Sequence, residues 1–382
     1  VSAALVCPEH GEAFDDAVFC EVCGRDLRTG AMPAARPATP PVIGASPRSS
    51  EPRGGRPDHA NVDAHAGAGG RAGGSPRTAV SGGDGVPVKD WVSARDDRGV
   101  CASCGAVADA ASGWCGECGR RVTAAKDRAE LELDGVAAVT DRARRRQNED
   151  AVAIGRARDA VVAVVCDGIS SARRADAAST DAAEAGVTAL LEALRSGTTP
   201  FSATAHAASV AAKAAAGTGR AEDGDAPPGC TYVSAVVDDE GVTVGWIGDS
   251  RAYWVGADGD ARQLTVDDSL AAILTAGLPA PAGLEDADPE SRALVRWLGA
   301  DAGEVEAQIT RFRAARPGLV VVCTDGLSHY LPTAADLASA VGRHDGATPL
   351  ALARALTTLA IDAGGHDNIA VAVLPVAAPT NA

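Results

Sequence analysis

From about Leu131 onward the sequence predicts an α+β layered fold, and three patterns carry that expectation. Short runs rich in β-branched residues follow one another in hairpin fashion. Alanine-rich helical stretches fall in pairs between those runs. Several apolar runs end in Asp-Gly, the exit expected of a buried strand. Runs of strands alternating with helical pairs favour α+β over a doubly wound parallel sheet.

Taken in order, residues 136–140, 151–154 and 161–166 read as strands, and 176–194 and 203–216 as helices lined with small residues. Residues 231–237, 242–247 and 251–255 form a meander of short strands, with Asp239-Glu240-Gly241 as a turn. The run 319–324 is a further strand. Helices over 334–341 and 350–362 precede a last strand at 369–376. Aromatic residues make up only 3% of the chain, so Ala, Val and Leu must build the core.

Ahead of this catalytic-sized region (129–377) lie three smaller pieces. Residues 1–28 hold a cysteine unit, 29–90 are crowded with Pro, Gly, Ala and Arg, and 91–123 hold a second cysteine unit. The middle piece has almost no large apolar residue to offset chain entropy, which predicts a disordered linker. Of the −16 net charge, residues 129–382 hold nearly all, with 20 basic against 35 acidic side chains. That surface repels phosphate backbones, so nucleic acid is not an expected partner. No stretch approaches the ~18 apolar residues of a membrane span. No basic-then-apolar signal segment opens the chain, and a cytoplasmic protein is expected. Alanine- and arginine-rich, lysine-poor usage suggests a bacterium of high GC content.

Cys101, Cys104, Cys115 and Cys118 form two Cys-x-x-Cys-Gly knuckles, a spacing that closes a tetrahedral zinc site. Cys7, His10, Cys20 and Cys23 offer a Cys₃His version. The sequence therefore predicts two structural Zn²⁺ ions in two small zinc ribbons, each dependent on metal to fold. Cys166, Cys230 and Cys323 lie in apolar runs and read as ordinary buried residues.

The chemistry is expected elsewhere. Asp150, Asp167, Asp325 and Asp367 each sit in a turn-like string beside an apolar run, and Glu149 adjoins the first. Four such carboxylates make an all-oxygen nest suited to Mg²⁺ or Mn²⁺. That chemistry points to phosphate-ester hydrolysis by metal-activated water.

The strings Arg145-Arg146-Gln147-Asn148-Glu149-Asp150, Asp167-Gly168, Gly248-Asp249-Ser250-Arg251, Asp325-Gly326 and Asp367-Asn368, in this order, resemble the metal-dependent protein phosphatases of the type 2C class, the PPM family. The resemblance covers residues 131–377. It implies a four-layer α-β-β-α sandwich of two antiparallel sheets with two metals in a cleft at one edge. By that likeness Asp167 bridges both metals and the Gly168 carbonyl ligates one. Asp325 and Asp367 hold one ion, while Asp150 and Glu149 hold the other. Arg145 takes the phosphate-binding place, with Arg144 and Arg146 as alternatives one residue away. Asp249 matches a residue that helps hold a third metal, and a turn-forming role is its alternative.

The implied function is hydrolysis of phosphoserine and phosphothreonine in signalling, with a serine/threonine kinase or its substrates as partners recruited by the ribbons. The rival expectation is a catalytically silent pseudophosphatase scaffold that binds phosphoproteins. Three departures from the family pattern stand out. Ile169 replaces a histidine of many eukaryotic members, Ser170 and Ser171 replace glycines, and Gly229-Cys230-Thr231 replaces Gly-Thr-Thr. None removes a ligand.

Overall fold

The computed structural model describes residues 90–94 and 127–377, except 221–222, 225 and 276–292, together with residue 117 and the backbone of 6–7 and 11–12. The chain divides after Val88 into two units. In the first, Val6–Cys7 (β1) pairs antiparallel with Gly11–Glu12 (β2). The linker 29–90, apart from Asp90, and the proposed zinc ligands, save the backbone of Cys7, lie outside the described residues.

The second unit runs β3 (Trp91–Ser93), β4 (Arg128–Leu133), β5 (Val136–Asp141), β6 (Ala151–Ala157), β7 (Ala160–Cys166), α1 (Ala175–Arg195) and α2 (Pro200–Gly217). It continues through β8 (Gly229–Cys230), β9 (Tyr232–Asp238), β10 (Gly241–Ile247), β11 (Arg251–Gly256), β12 (Ala261–Gln263), α3 (Leu270–Thr275) and β13 (Leu298–Gly299). The last elements are β14 (Gln308–Phe312), β15 (Gly318–Cys323), α4 (Asp325–Ser328), α5 (Ala334–Gly342), α6 (Pro349–Ala363) and β16 (Ile369–Val376).

These strands build two antiparallel six-stranded sheets, ordered β14-β10-β9-β7-β6-β3 and β12-β11-β15-β16-β5-β4. Central strands read as continuous apolar runs because both of their faces are covered. In β7, Val162, Val164 and Cys166 pack toward α1 and α2, while Ala163 and Val165 point to the core shared by the sheets. In β16, Ala370, Ala372 and Leu374 fill the shared core, while Ile369, Val371 and Val373 pack with Leu352 and Leu356 of α6. Alanine on the buried side of α1 (Ala178, Ala182, Ala183) supplies a small, rotamer-free contact surface there. Helix starts are written locally. Thr199-Pro200 and Thr348-Pro349 place a capping threonine before a proline in the first turn. Thr333 and Asp336 close a capping box on α5.

The structure corrects one boundary. Trp91–Ser93, which the sequence assigns to the second cysteine unit (91–123), is an edge strand of the first sheet, paired with β6. Asp90 O accepts from Arg156 N at 2.9 Å. Buried Ser93 donates through Oγ to Glu184 Oε1 at 2.7 Å. Trp91 packs against the core beneath α1. Three residues with one aromatic carry too weak an alternation to be read as a strand, which is why the sequence hides it. The second sheet likewise begins at Arg128, one residue before the expected boundary.

A fragment beginning at Ala125 therefore lacks one strand of the fold. Chemical denaturation should show it less stable than a fragment beginning at Gly85 by about 3 kcal/mol, from the lost Trp91 contact and strand pairing. Equal stability would show that β3 adds nothing.

Candidate active site

Antiparallel register decides where the carboxylates meet. Ala151 at the start of β6 faces Cys166 at the end of β7, so Asp150 and Asp167 leave the first sheet together. Cys323 at the end of β15 faces both Val371 near the start of β16 and Arg251 at the start of β11. Asp325, Asp367 and Asp249 thus leave at corresponding strand ends. The two Asp-Gly strings are explained by space. A Cβ on Gly168 would lie 2.8 Å from Glu149 O, and one on Gly326 would lie 1.8 Å from Asn368 O. Only glycine lets these backbones pass so closely.

The aspartates act on one another. Burial, then the charges of Asp367 and Asp325, pushes the Asp150 carboxyl well above the usual range. Asp167 is raised well above it by burial and by Asp150, Asp325, Asp367 and Asp249. Asp249 is raised to about 8 by burial, with Asp325 and Asp267 adding to it. Asp150 Oδ2 accepts from Thr324 Oγ1 at 2.8 Å, whereas its buried Oδ1 has no hydrogen-bond partner. A set of buried and partly buried, mutually repelling carboxylates with an oxygen left over suits a hard divalent cation. Among the described residues, no three His, Cys, Asp or Glu side chains form a group that could hold a metal ion. The fold gathers these residues at one end of the sheets without locking them on one point.

Glu149 lies beside the group. Its carbonyl accepts from Gly168 N at 3.1 Å, and its carboxylate accepts from Gln147 Nε2 at 2.8 Å. Of the three candidate arginines, Arg145 reaches the aspartates. Its Nη2 pairs with Asp367 Oδ2 at 2.8 Å, and its Nε donates to His366 O at 3.1 Å. Arg144 and Arg146 are exposed.

Sequence reasoning passed over the residues that hold this group in place. Thr324 Oγ1 accepts from Ala370 N at 2.9 Å while donating to Asp150. Asn368 Oδ1 accepts from Glu149 N, and its Nδ2 donates to the carbonyls of Arg142 and Gln147, which fixes the arginine loop. Thr231 Oγ1 accepts from Asp167 N and contacts Ser250 Oγ at 2.7 Å. Each polar residue stands beside a motif aspartate or in the Gly-Cys-Thr string, the one sequence signal available. Cys166, Cys230 and Cys323 are buried free thiols, as expected.

The profile of the family described as Protein phosphatase 2C matches residues 140–349. Among solved structures, the serine/threonine phosphatase of S. agalactiae is 22% identical, covers 63% of this chain and 98% of its own, and has a TM-score of 0.50. A mutant of a bacterial serine phosphatase is 20% identical over 64% of this chain and 98% of its own, with a TM-score of 0.51. A C. elegans sex-determining protein is 20% identical over 66% of this chain and 67% of its own, with a TM-score of 0.50. These likenesses concern the fold. No curated protein matches the sequence.

Proposed function

The chain belongs to the protein phosphatase 2C family of serine/threonine phosphatases, and from that premise we propose that it hydrolyses phosphoserine and phosphothreonine in proteins at a binuclear Mn²⁺ or Mg²⁺ centre. The observation that carries this reading is the meeting of Asp150, Asp167, Asp249, Asp325 and Asp367, whose charges hold carboxyls of the group above their usual range. We read the two sheets and their flanking helices as the four layers of an α-β-β-α sandwich with this cleft at one end.

In this reading Asp167 would hold both ions and the Gly168 carbonyl one of them, Asp325 and Asp367 would hold one, Asp150 with Glu149 the other, and Asp249 would serve a third. Bound divalent cations lower the pKa of coordinated water toward neutrality. The chain's own residues orient the reactants. Asn368 fixes the loop that carries Arg145, and Arg145, paired with Asp367, would bring its guanidinium charge to the phosphoryl oxygens. Thr324 keeps Asp150 turned inward. With Ile169 in place of a side-chain acid, the leaving alkoxide takes its proton from water.

A silent scaffold is not favoured, because no expected carboxylate is missing from the sequence. Assay of the full chain with Mn²⁺ on p-nitrophenyl phosphate and on a phosphothreonine peptide decides between the two. Hydrolysis of both supports the enzyme. Binding of the peptide without turnover supports the scaffold.

The N-terminal cysteines complete the proposal. Two zinc ribbons would recruit a phosphoprotein, a serine/threonine kinase or one of its substrates, in a cytoplasmic setting that keeps thiolates reduced. Elemental analysis of the full chain should find two Zn²⁺. Cys101→Ser should leave one, and acidification should empty the His10 site first. A count of one, unchanged by His10→Ala, would remove the first ribbon.

A further inference from the structure

Outside the proposed ligands, one buried carboxylate joins three parts of the chain. Asp268 is 5% exposed. Its Oδ2 accepts from Gly248 N at 3.0 Å, and its Oδ1 accepts from Gln308 Nε2 at 2.7 Å. Arg296 Nη1 lies 3.3 Å from both oxygens. The backbone repeats the connection. Asp268 N donates to Gly248 O at 2.9 Å, and Val295 N donates to Asp268 O at 2.9 Å. Asp268 thus bonds Gly248 reciprocally, and it also fixes the chain where it returns at 295–296.

Gly248 cannot yield on its other side. Its φ is +107°, and a Cβ there would lie 2.7 Å from Thr231 Cβ. Thr231 in turn accepts from Asp167 N and contacts Ser250. The Gly248-Asp249-Ser250 turn is therefore held between Asp268 and Thr231, which also binds the Asp167 peptide. A carboxylate is costly to bury, and among the described residues Arg296 is the cation that meets it, at 3.3 Å. Burial indeed raises its pKa. Among the described residues the hydrogen-bond partners of its two oxygens are all donors, so an amide would set an N–H against Gln308, Arg296 or Gly248.

Resting on the metal-dependent reading above, we propose that Asp268 is a positioning residue for the reaction: it fixes the turn that aims Asp249 at the metal group. It touches neither substrate nor the reacting atoms. Its effect reaches the cation through the Gly248 peptide.

The test compares Asp268→Asn with wild type in the full chain, after removal of the divalent cation. Free Mn²⁺ is followed by electron paramagnetic resonance, beside kcat and KM for p-nitrophenyl phosphate. Partners behind a metal ligand typically change affinity or activity by about 10-fold or more. We expect the weakest Mn²⁺ to loosen by about that factor and kcat to fall with it, with KM within about two-fold. In an Asp249→Asn background the same change should add nothing to the Mn²⁺ loss. Should Asp268→Asn fail to fold, Arg296→Met must shift the isotherm in the same direction by a smaller factor. A lowered melting temperature with an unchanged Mn²⁺ isotherm would overturn the proposal and leave Asp268 as structural only. A wild type that binds no Mn²⁺ overturns both this inference and the function it rests on, whereas a Mn²⁺-dependent wild type with an unaffected variant overturns this inference alone.

Discussion

Asp325→Asn should lower Mn²⁺-dependent hydrolysis of p-nitrophenyl phosphate by more than about ten-fold at saturating Mn²⁺, with the fold intact. Asp325 opens α4 immediately after β15. Its charge raises the carboxyls of Asp150, Asp167 and Asp249. An asparagine keeps the size and loses the charge. The cation then has one ligand fewer, and coordinated water keeps a higher pKa. The same change relieves repulsion, so the metal-free variant should melt no lower than the metal-free wild type near pH 8. Retention of more than about a tenth of wild-type turnover would remove Asp325 from the metal group.

Without divalent cation, stability should fall as pH rises. Asp150 and Asp167 are held well above the usual carboxylate range, and Asp249 is held at about 8. For a carboxyl whose folded pKa is raised, the folded state keeps a proton that the unfolded state releases above about pH 4. The stabilising contribution is therefore whole below about pH 4 and is lost progressively as pH climbs through the folded values, up to about pH 8 for Asp249. Melting in chelator should drop by roughly 5 °C or more between pH 5 and pH 8. Asp167→Asn, which removes one member of the group, should flatten that drop under the same buffers. Saturating Mn²⁺ should offset it by binding the folded state. A melting temperature that rises with pH in chelator, equally in wild type and variant, would show that the repulsion is not present in the folded chain.

Both effects depend on residues that the sequence displays openly. Asp167 and Asp325 follow runs that must be strands because they are apolar on both faces. Gly168 and Gly326 are forced by backbones that pass within reach of their missing side chains. What stays hidden is long-range. Thr324 meets Asp150 across 174 residues, and Asn368 meets Glu149 across 219, so no local pattern marks either as a partner. The strand Gln308–Phe312 escapes the reading because it is a half-exposed sheet edge with alternating polar residues and no apolar run. Trp91–Ser93 escapes because its partner strand, β6, begins some sixty residues later. Asp268 stands next to Asp267, outside the five strings that carry the family resemblance. Its three donors come from residues 20 to 40 positions away. The strand-end aspartates were legible, and the long-range hydrogen bonds around them were not.

If the strand-end aspartates hold divalent cations, the full chain binds Mn²⁺ through them, and a count of bound Mn²⁺ decides it. Equilibrium dialysis of wild type beside Asp167→Asn should find two or more Mn²⁺ on the first and fewer on the second, since Asp167 is assigned to both ions. The same low Mn²⁺ count on wild type and variant would contradict the account.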